Sequence, residues 1–203
     1  MHPYATDSPE RMRIPLILGG ISIALACLVS LIPWRAPWWI DAPSVAAFYG
    51  FLYAWFDRRL WRAKWLQKIG LVRVPDLNGE WHGIILSSHD ENGRDHDVAV
   101  EIKQTWTRLC VLLRAERSRS RSLIAAVHMD EPEGPALVYE YRNEPTNGAV
   151  NSMHIHYGTA RLTFDGADDS LSGDYYTGRD RETHGMIRVE RRRATENQPQ
   201  EQS

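Results

Sequence analysis

The chain has 203 residues, with 24 Lys and Arg against 26 Asp and Glu, for a formal net charge of −2. That balance excludes a chain that holds nucleic acid simply by being basic. A content of 43% hydrophobic and 25% charged residues excludes wholesale disorder. The length suits one compact domain with an accessory segment.

The hydropathy is unevenly distributed. From Ile14 to Ile32 there is no charged residue. At about 1.5 Å per residue, that run spans roughly 28 Å as a helix, close to the thickness of a bilayer's hydrocarbon core. A second apolar segment covers residues 38–56, with Asp41 and Pro43 near its start, so its helix is expected to begin at Pro43. Residues 33–37 leave room only for a tight turn, which predicts a transmembrane helical hairpin over 14–56. Six of the eight tryptophans fall between residues 34 and 65. Trp34, Trp38 and Trp39 gather at the turn, and Trp55, Trp61 and Trp65 follow the second helix, as two interfacial belts.

Arg11 and Arg13 precede the first helix, six cations from Arg58 to Arg73 follow the second, and the turn holds only Arg35. The positive-inside rule then predicts a multi-pass protein of the inner membrane with both termini cytoplasmic. Residues 1–13 read as a short cytoplasmic N-terminus and 57–74 as a basic juxtamembrane linker lying along anionic lipid. Two alternatives stand beside the hairpin. Ala24-Leu25-Ala26-Cys27 faintly resembles a lipoprotein cleavage box, but apolar sequence continues past it. The second run also suits a buried helix of a soluble domain.

After Pro75 the composition changes. Short alternating stretches are separated by Asn/Asp/Gly/Pro clusters, at 80–88, 97–106, 109–115, 123–128, 136–142, 153–164, 171–177 and 185–191. In the second of these, Val98, Val100, Ile102, Gln104 and Trp106 share one face. Eight strands with hairpin-length links predict a closed barrel or a sandwich. The reading adopted is mainly β: a lipocalin-like, eight-stranded antiparallel up-and-down barrel over 75–192, wide enough inside for side chains or one small ligand. Residues 193–203 read as a disordered tail.

Two clusters carry chemistry. In Glu116–Ser122, ERSRSRS, period 2 sends Ser118, Ser120 and Ser122 to one side and Arg117, Arg119 and Arg121 to the other. The result is either a solvated basic edge or hydroxyls facing a polar cavity. Tyr175–Gly185, YYTGRDRETHG, joins Tyr175, Tyr176 and Thr177 to Arg179, Arg181 and Thr183. Aromatic faces beside guanidinium forks suit a nucleotide, by stacking on its base and pairing with its phosphate. The alternative is a plain hairpin whose charges neutralise one another. Tyr139, Tyr141, Gln104 and Trp106 are candidates to line the barrel or fill its core.

Other patterns are weak. His154 and His156 are spaced to chelate a metal from one strand face, with no third ligand identifiable. His89 and His96 are expected to be solvated at a hairpin tip. Cys27 and Cys110 lack zinc or redox spacing. No P-loop, GxSxG, HExxH or GxGxxG occurs, no cofactor is implied, and nothing argues for an enzyme.

Taken in order, two apolar helices, Pro75–Gly83 (PDLNGEWHG), Ile102–Trp106 (IKQTW), the alternating serines, Leu137–Pro145 (LVYEYRNEP), His156–Leu162 (HYGTARL) and Leu171–Gly185 form a familiar series. The series resembles the two-transmembrane β-barrel effectors of bacterial CBASS antiphage systems, associated with CD-NTases. The resemblance implies a non-enzymatic protein whose cytoplasmic barrel binds a cyclic dinucleotide made by the nucleotidyltransferase. Binding would drive homo-oligomerisation and disruption of the inner-membrane lipid, killing the infected cell, with no direct contact to DNA or RNA. The ligand-binding residues expected here come from their chemistry: Arg179 and Arg181 on the phosphates, Tyr175 or Tyr176 on a base, hydrogen bonds from Thr177, Thr183 and Ser120, and Tyr141 and Trp106 lining the interior. Rival readings are a membrane-anchored lipocalin-like carrier for a lipid or apolar metabolite, and a barrel that docks a protein partner.

Overall fold

A computed structural model describes residues 1–31, 38–88, 95–146, 154–178 and 183–192, with backbone alone for 38–44. The expected turn at 33–37, the side chains of Trp38 and Trp39, His89, Arg179, Arg181 and the tail from 193 lie outside the described residues. The chain runs β1 (His2–Thr6), α1 (Glu10–Ser30), α2 (Trp38–Arg58), a 3-10 turn (Leu60–Arg62) and α3 (Lys64–Lys68). Eight strands follow: β2 (Gly79–Ser87), β3 (Asp95–Gln104), β4 (Arg108–Ala115), β5 (Ser118–His128), β6 (Ala136–Pro145), β7 (His156–Asp165), β8 (Ser170–Thr177) and β9 (His184–Arg191). Two compact units result. One joins Met1–Asp7 to Pro75–Gln104 and the chain from Arg108 onward, and the other joins Ser8–Val74 to Thr105–Thr107.

In the first unit, β2 to β9 form an antiparallel meander that closes where β9 pairs with β2. Alternation explains the closure: on β3, Val98, Val100, Ile102 and Gln104 are buried, while the residues between them are at least partly exposed. All eight expected strands are present. The barrel adds a ninth, because His2–Thr6, read from sequence as part of a short N-terminus, is a strand. β4 and β5 pair only between Leu112–Arg114 and Arg119–Arg121, then diverge at a bulge between Ser122 and Ile124. β1 fills that wedge, antiparallel to β4 at His2↔Leu109 and parallel to β5 from Tyr4↔Ala125 to Thr6↔Val127.

One end of the barrel is solid. Trp81, Leu77, Leu109, Leu137, Leu162 and Leu171 are fully buried there; burying such a side chain contributes about 1.5–3 kcal/mol. Gln104, a candidate for lining the interior, serves this end instead. Its Oε1 accepts the Leu77 N–H at 2.8 Å, and its Nε2 donates to the Pro75 carbonyl at 3.3 Å and the Tyr4 hydroxyl at 3.4 Å.

In the second unit, α1 starts at Glu10, four residues before the apolar run. The buried Glu10 carboxylate accepts backbone N–H bonds from Arg73 at 2.9 Å and Val74 at 3.0 Å, and sits at a helix N-terminus, where negative charge is favoured. Glu10, Ile14, Leu18 and Ser22, four residues apart, form its buried stripe. Leu16, Ile23 and Leu28 remain exposed. Among the described residues, α1 is the one helix long and apolar enough to cross a membrane. α2 begins at Trp38, ahead of the expected Pro43. At its other end, Asp57 Oδ1 accepts both the N–H and the hydroxyl of Thr107 at 2.8 Å.

Candidate functional site

Opposite the Trp81 end, the barrel is hollow. A cavity of about 630 Å³ opens at the end where β4 turns into β5, within the range of small-molecule sites. Its wall is built in rungs of hydrogen-bonded neighbours. The outermost joins Ser120, Asn143 and His156, the next joins Ser122, Tyr141, Gly158 and Thr177, and the third joins Tyr139, Ala160, Tyr175 and Gly185. Rungs two residues apart present the same face, so successive inward positions such as Tyr139, Tyr141 and Asn143 line the cavity together. The result is a polar mouth above an aromatic floor.

The mouth is organised by hydrogen bonds. Thr177 Oγ1 accepts the Thr183 N–H at 2.8 Å, and the two hydroxyls lie 2.9 Å apart. His156 Nδ1 donates to the His154 carbonyl at 3.1 Å. Asn143 and His156, 6% and 8% exposed, are buried polar side chains lining the cavity. Deeper down, burial and then the neighbouring Tyr141 push the Tyr139 phenol well above its ordinary value. The Tyr139 phenol therefore stays neutral at the base of the cavity. The described rim also carries Asp95, Asp97 and Glu116 beside Arg117.

The residues singled out from sequence divide clearly. Ser120, Tyr141, Tyr175, Thr177 and Thr183 come together on the cavity wall. Tyr176 points outward and is 56% exposed, because period 2 assigns it the face opposite Tyr175. Trp106 is buried in the helical unit, edge-on to Phe56 at 5.2 Å with the Arg11 guanidinium 4.7 Å from its ring centre. It does not line the cavity, because β3 ends at Gln104 and the alternation that placed it inward stops there. Arg179 and Arg181 lie outside the described residues, between Gly178 and Thr183 in the chain.

In ERSRSRS, the hydroxyls of Ser118 and Ser120 face the cavity, while Arg119 is exposed and lies 3.5 Å from Glu144. His96, expected to be solvated, is half-buried and lines the cavity. Asn143 was not singled out, although continuing the alternation of Tyr139 and Tyr141 by two residues reaches it. His156 was singled out only as half of a metal pair. His154 is exposed and lies before the strand, so the two imidazoles do not share a face. No group of three potential metal ligands occurs among the described residues.

A wider depression of about 1060 Å³ lies on the outer face of β2, β8 and β9, lined by His82, Ser172, Arg188 and Arg192 among others. It is solvent-facing, and among the described residues it is lined mostly by charged and hydroxyl side chains, with no tyrosine, tryptophan or phenylalanine.

A closed barrel, solid at one end and hollow at the other, with hydroxyl and amide groups over tyrosines, defines a receptor for one compact amphipathic ligand. Residues 72–191 match the family described as Cap15, cyclic dinucleotide receptor domain, and the chain belongs to that family. It is similar to CD-NTase-associated protein 15 of Yersinia aleksiciae, with 34% identity over 148 residues covering 73% of this chain and 69% of that one. It is also similar to the protein of that name from Staphylococcus schleiferi, with 28% identity over 172 residues covering 84% and 90%. This is the effector family that the ordered sequence motifs resemble.

Proposed function

We propose that this protein is a membrane-anchored effector of bacterial antiphage immunity whose barrel binds a cyclic dinucleotide supplied by a CD-NTase. The ligand-bound chains then oligomerise, and their helices disrupt the inner membrane. One observation carries the reading: in a chain of the cyclic dinucleotide receptor family, the barrel holds a cavity of about 630 Å³ with a polar mouth and a tyrosine floor. Bases descend onto Tyr141 and Tyr175. Phosphates stay at the mouth with the hydroxyls of Ser120, Thr177 and Thr183, and Arg179 and Arg181 supply the positive charge. The barrel has a receptor role and no reaction of its own.

Chain connectivity supports a paired membrane crossing. β1 precedes α1 and β2 follows α2, yet both strands are hydrogen-bonded into one closed barrel. The chain therefore leaves and returns on the same side of any membrane, which requires an even number of crossings. α3, at five residues, is too short to cross. On this reading α2 spans with α1, and the excess of cations flanking the two helices in the sequence supports a cytoplasmic barrel. Ligand drives assembly only if it binds the assembling form more tightly than the resting one.

The test is dye release from vesicles of bacterial inner-membrane lipid that contain the full-length chain. Release is expected on adding the matching cyclic dinucleotide and not on adding mononucleotides. Intact vesicles under saturating bound ligand would overturn the membrane-disrupting role.

A further inference from the structure

The floor of the cavity contains two tyrosine–glycine pairs of the same construction. Tyr141 on β6 is the register partner of Gly158 on β7, and Tyr175 on β8 is the partner of Gly185 on β9. A Cβ atom at Gly158 would lie 2.5 Å from the Tyr141 hydroxyl oxygen and 2.6 Å from its Cζ. A Cβ at Gly185 would lie 2.7 Å from Tyr175 Cε1 and would also meet the Leu86 carbonyl oxygen. In both pairs the ring occupies the space where the partner's side chain would begin. Each phenol thus leans across the next strand around the barrel, along the wall, and both Tyr141 and Tyr175 line the cavity. A ring pointing at the barrel axis would instead fill the space the ligand needs. Tyr139 shows the contrast. Its partner is Ala160, it is 2% exposed, and its ring backs that of Tyr141 at 6.0 Å with a tilt of 52°.

We infer that Gly158 and Gly185 are positioning residues that hold Tyr141 and Tyr175 flat as two base-stacking seats, one for each base of a cyclic dinucleotide. The inference rests on the receptor function proposed above and deepens it. The pocket selects ligands with two aromatic groups on one compact frame, and the glycines set that capacity without touching the ligand.

The experiment is calorimetric titration of the full-length protein in detergent with a panel of cyclic dinucleotides and their mononucleotides. Gly158→Ala and Gly185→Ala are each expected to lose at least about tenfold in affinity for the cyclic dinucleotide, the scale of one lost base stack. Alanine also crowds the backbone at both places, so Tyr141→Leu and Tyr175→Leu, which empty a seat and leave its glycine, are companion variants expected to show the same loss. Tyr141→Phe and Tyr175→Phe keep the ring face and are expected to retain most of the affinity. Each single-seat variant should discriminate the cyclic dinucleotide from its mononucleotide less than the wild type does, an effect that general loosening of the barrel does not produce. Wild-type affinity in the leucine variants, or in a folded Gly158→Ala protein, would overturn the two seats while leaving the receptor function standing. A wild-type protein that binds no member of the panel would overturn the receptor function itself, and the seats with it.

Discussion

The imidazole Nε2 of His2 lies 2.8 Å from the hydroxyl oxygen of Ser122, the same oxygen that accepts the Val111 N–H at 2.9 Å. Ser122 is 2% exposed and stands where β4 and β5 part, so it both caps the end of their ladder and pins the first residue of β1. Ser122→Ala removes the acceptor of a buried N–H and is expected to cost about 1–3 kcal/mol, read as a lowered thermal midpoint. Deleting residues 1–6 should cost more, since it also leaves the wedge between β4 and β5 unfilled. An unchanged midpoint in that deletion would mean that β1 contributes nothing to the barrel.

The solid end depends on Arg191. Its Nε bonds Asp169 Oδ1 at 2.9 Å, its Nη2 donates to the Asp76 carbonyl at 2.7 Å, its Nη1 donates to the Asn78 carbonyl, and its guanidinium lies 4.3 Å from the Trp81 ring centre. Arg191→Ala is expected to cost about 2–3 kcal/mol. Arg191→Lys should recover little of that, because an ammonium lacks the planar fork. Thermal unfolding of the two variants checks this, and ligand affinity should be unchanged in whatever remains folded.

A pH dependence is expected at the join between β1 and α1. Asp7 Oδ1 accepts the Met129 N–H at 2.8 Å, and Oδ2 faces the Asp130 N–H at 3.4 Å. Burial works to raise its carboxyl, but the backbone donors of Met129 and Asp130 outweigh that and hold it below its ordinary value of 3.8. The stabilisation is therefore complete above that value and is lost as pH falls through the lower value of the folded state. Its size is small because the side chain is partly exposed. Amide protection of residues 2–6 should fall as pH drops below about 4, where this carboxylate begins to take up its proton, and Asp7→Asn should abolish that change.

On the proposed reading, Arg179 and Arg181 supply the cations that pair with the ligand's phosphates. The described rim offers Asp95, Asp97 and Glu116 against Arg117, a balance that repels a dianion. The double substitution Arg179→Ala/Arg181→Ala is expected to weaken cyclic dinucleotide binding at least about tenfold and to reduce its salt sensitivity, with the thermal midpoint unchanged. Unaltered affinity in the folded double variant would remove both arginines from the site.

The strands were legible because one face of each is buried: period 2 is explicit from Val98 to Gln104 and from Ser118 to Ser122. β1 was not legible. Its five residues, His-Pro-Tyr-Ala-Thr, show no local pattern, and their partners stand more than a hundred residues later, at Leu109 and Ala125. The same alternation set Ser118 and Ser120 on one face and Tyr139 and Tyr141 on another, whereas Tyr175, Thr177 and Thr183 were singled out for their chemistry beside the arginines. Alternation misplaced Trp106, because a pattern cannot show where a strand ends and its turn begins. The two glycine seats were hidden for another reason: Gly158 and Gly185 gain meaning only from the cross-strand register that sets each beside a tyrosine.

The most direct test is calorimetric titration of the full-length protein with a panel of cyclic dinucleotides and trinucleotides. Saturable binding of one cyclic dinucleotide at micromolar or tighter affinity, lost when Tyr141 and Tyr175 are both replaced by leucine, is the expected result. A folded protein that binds no member of the panel, or that binds one equally well without the two tyrosines, would contradict the assignment of this cavity as the receptor site.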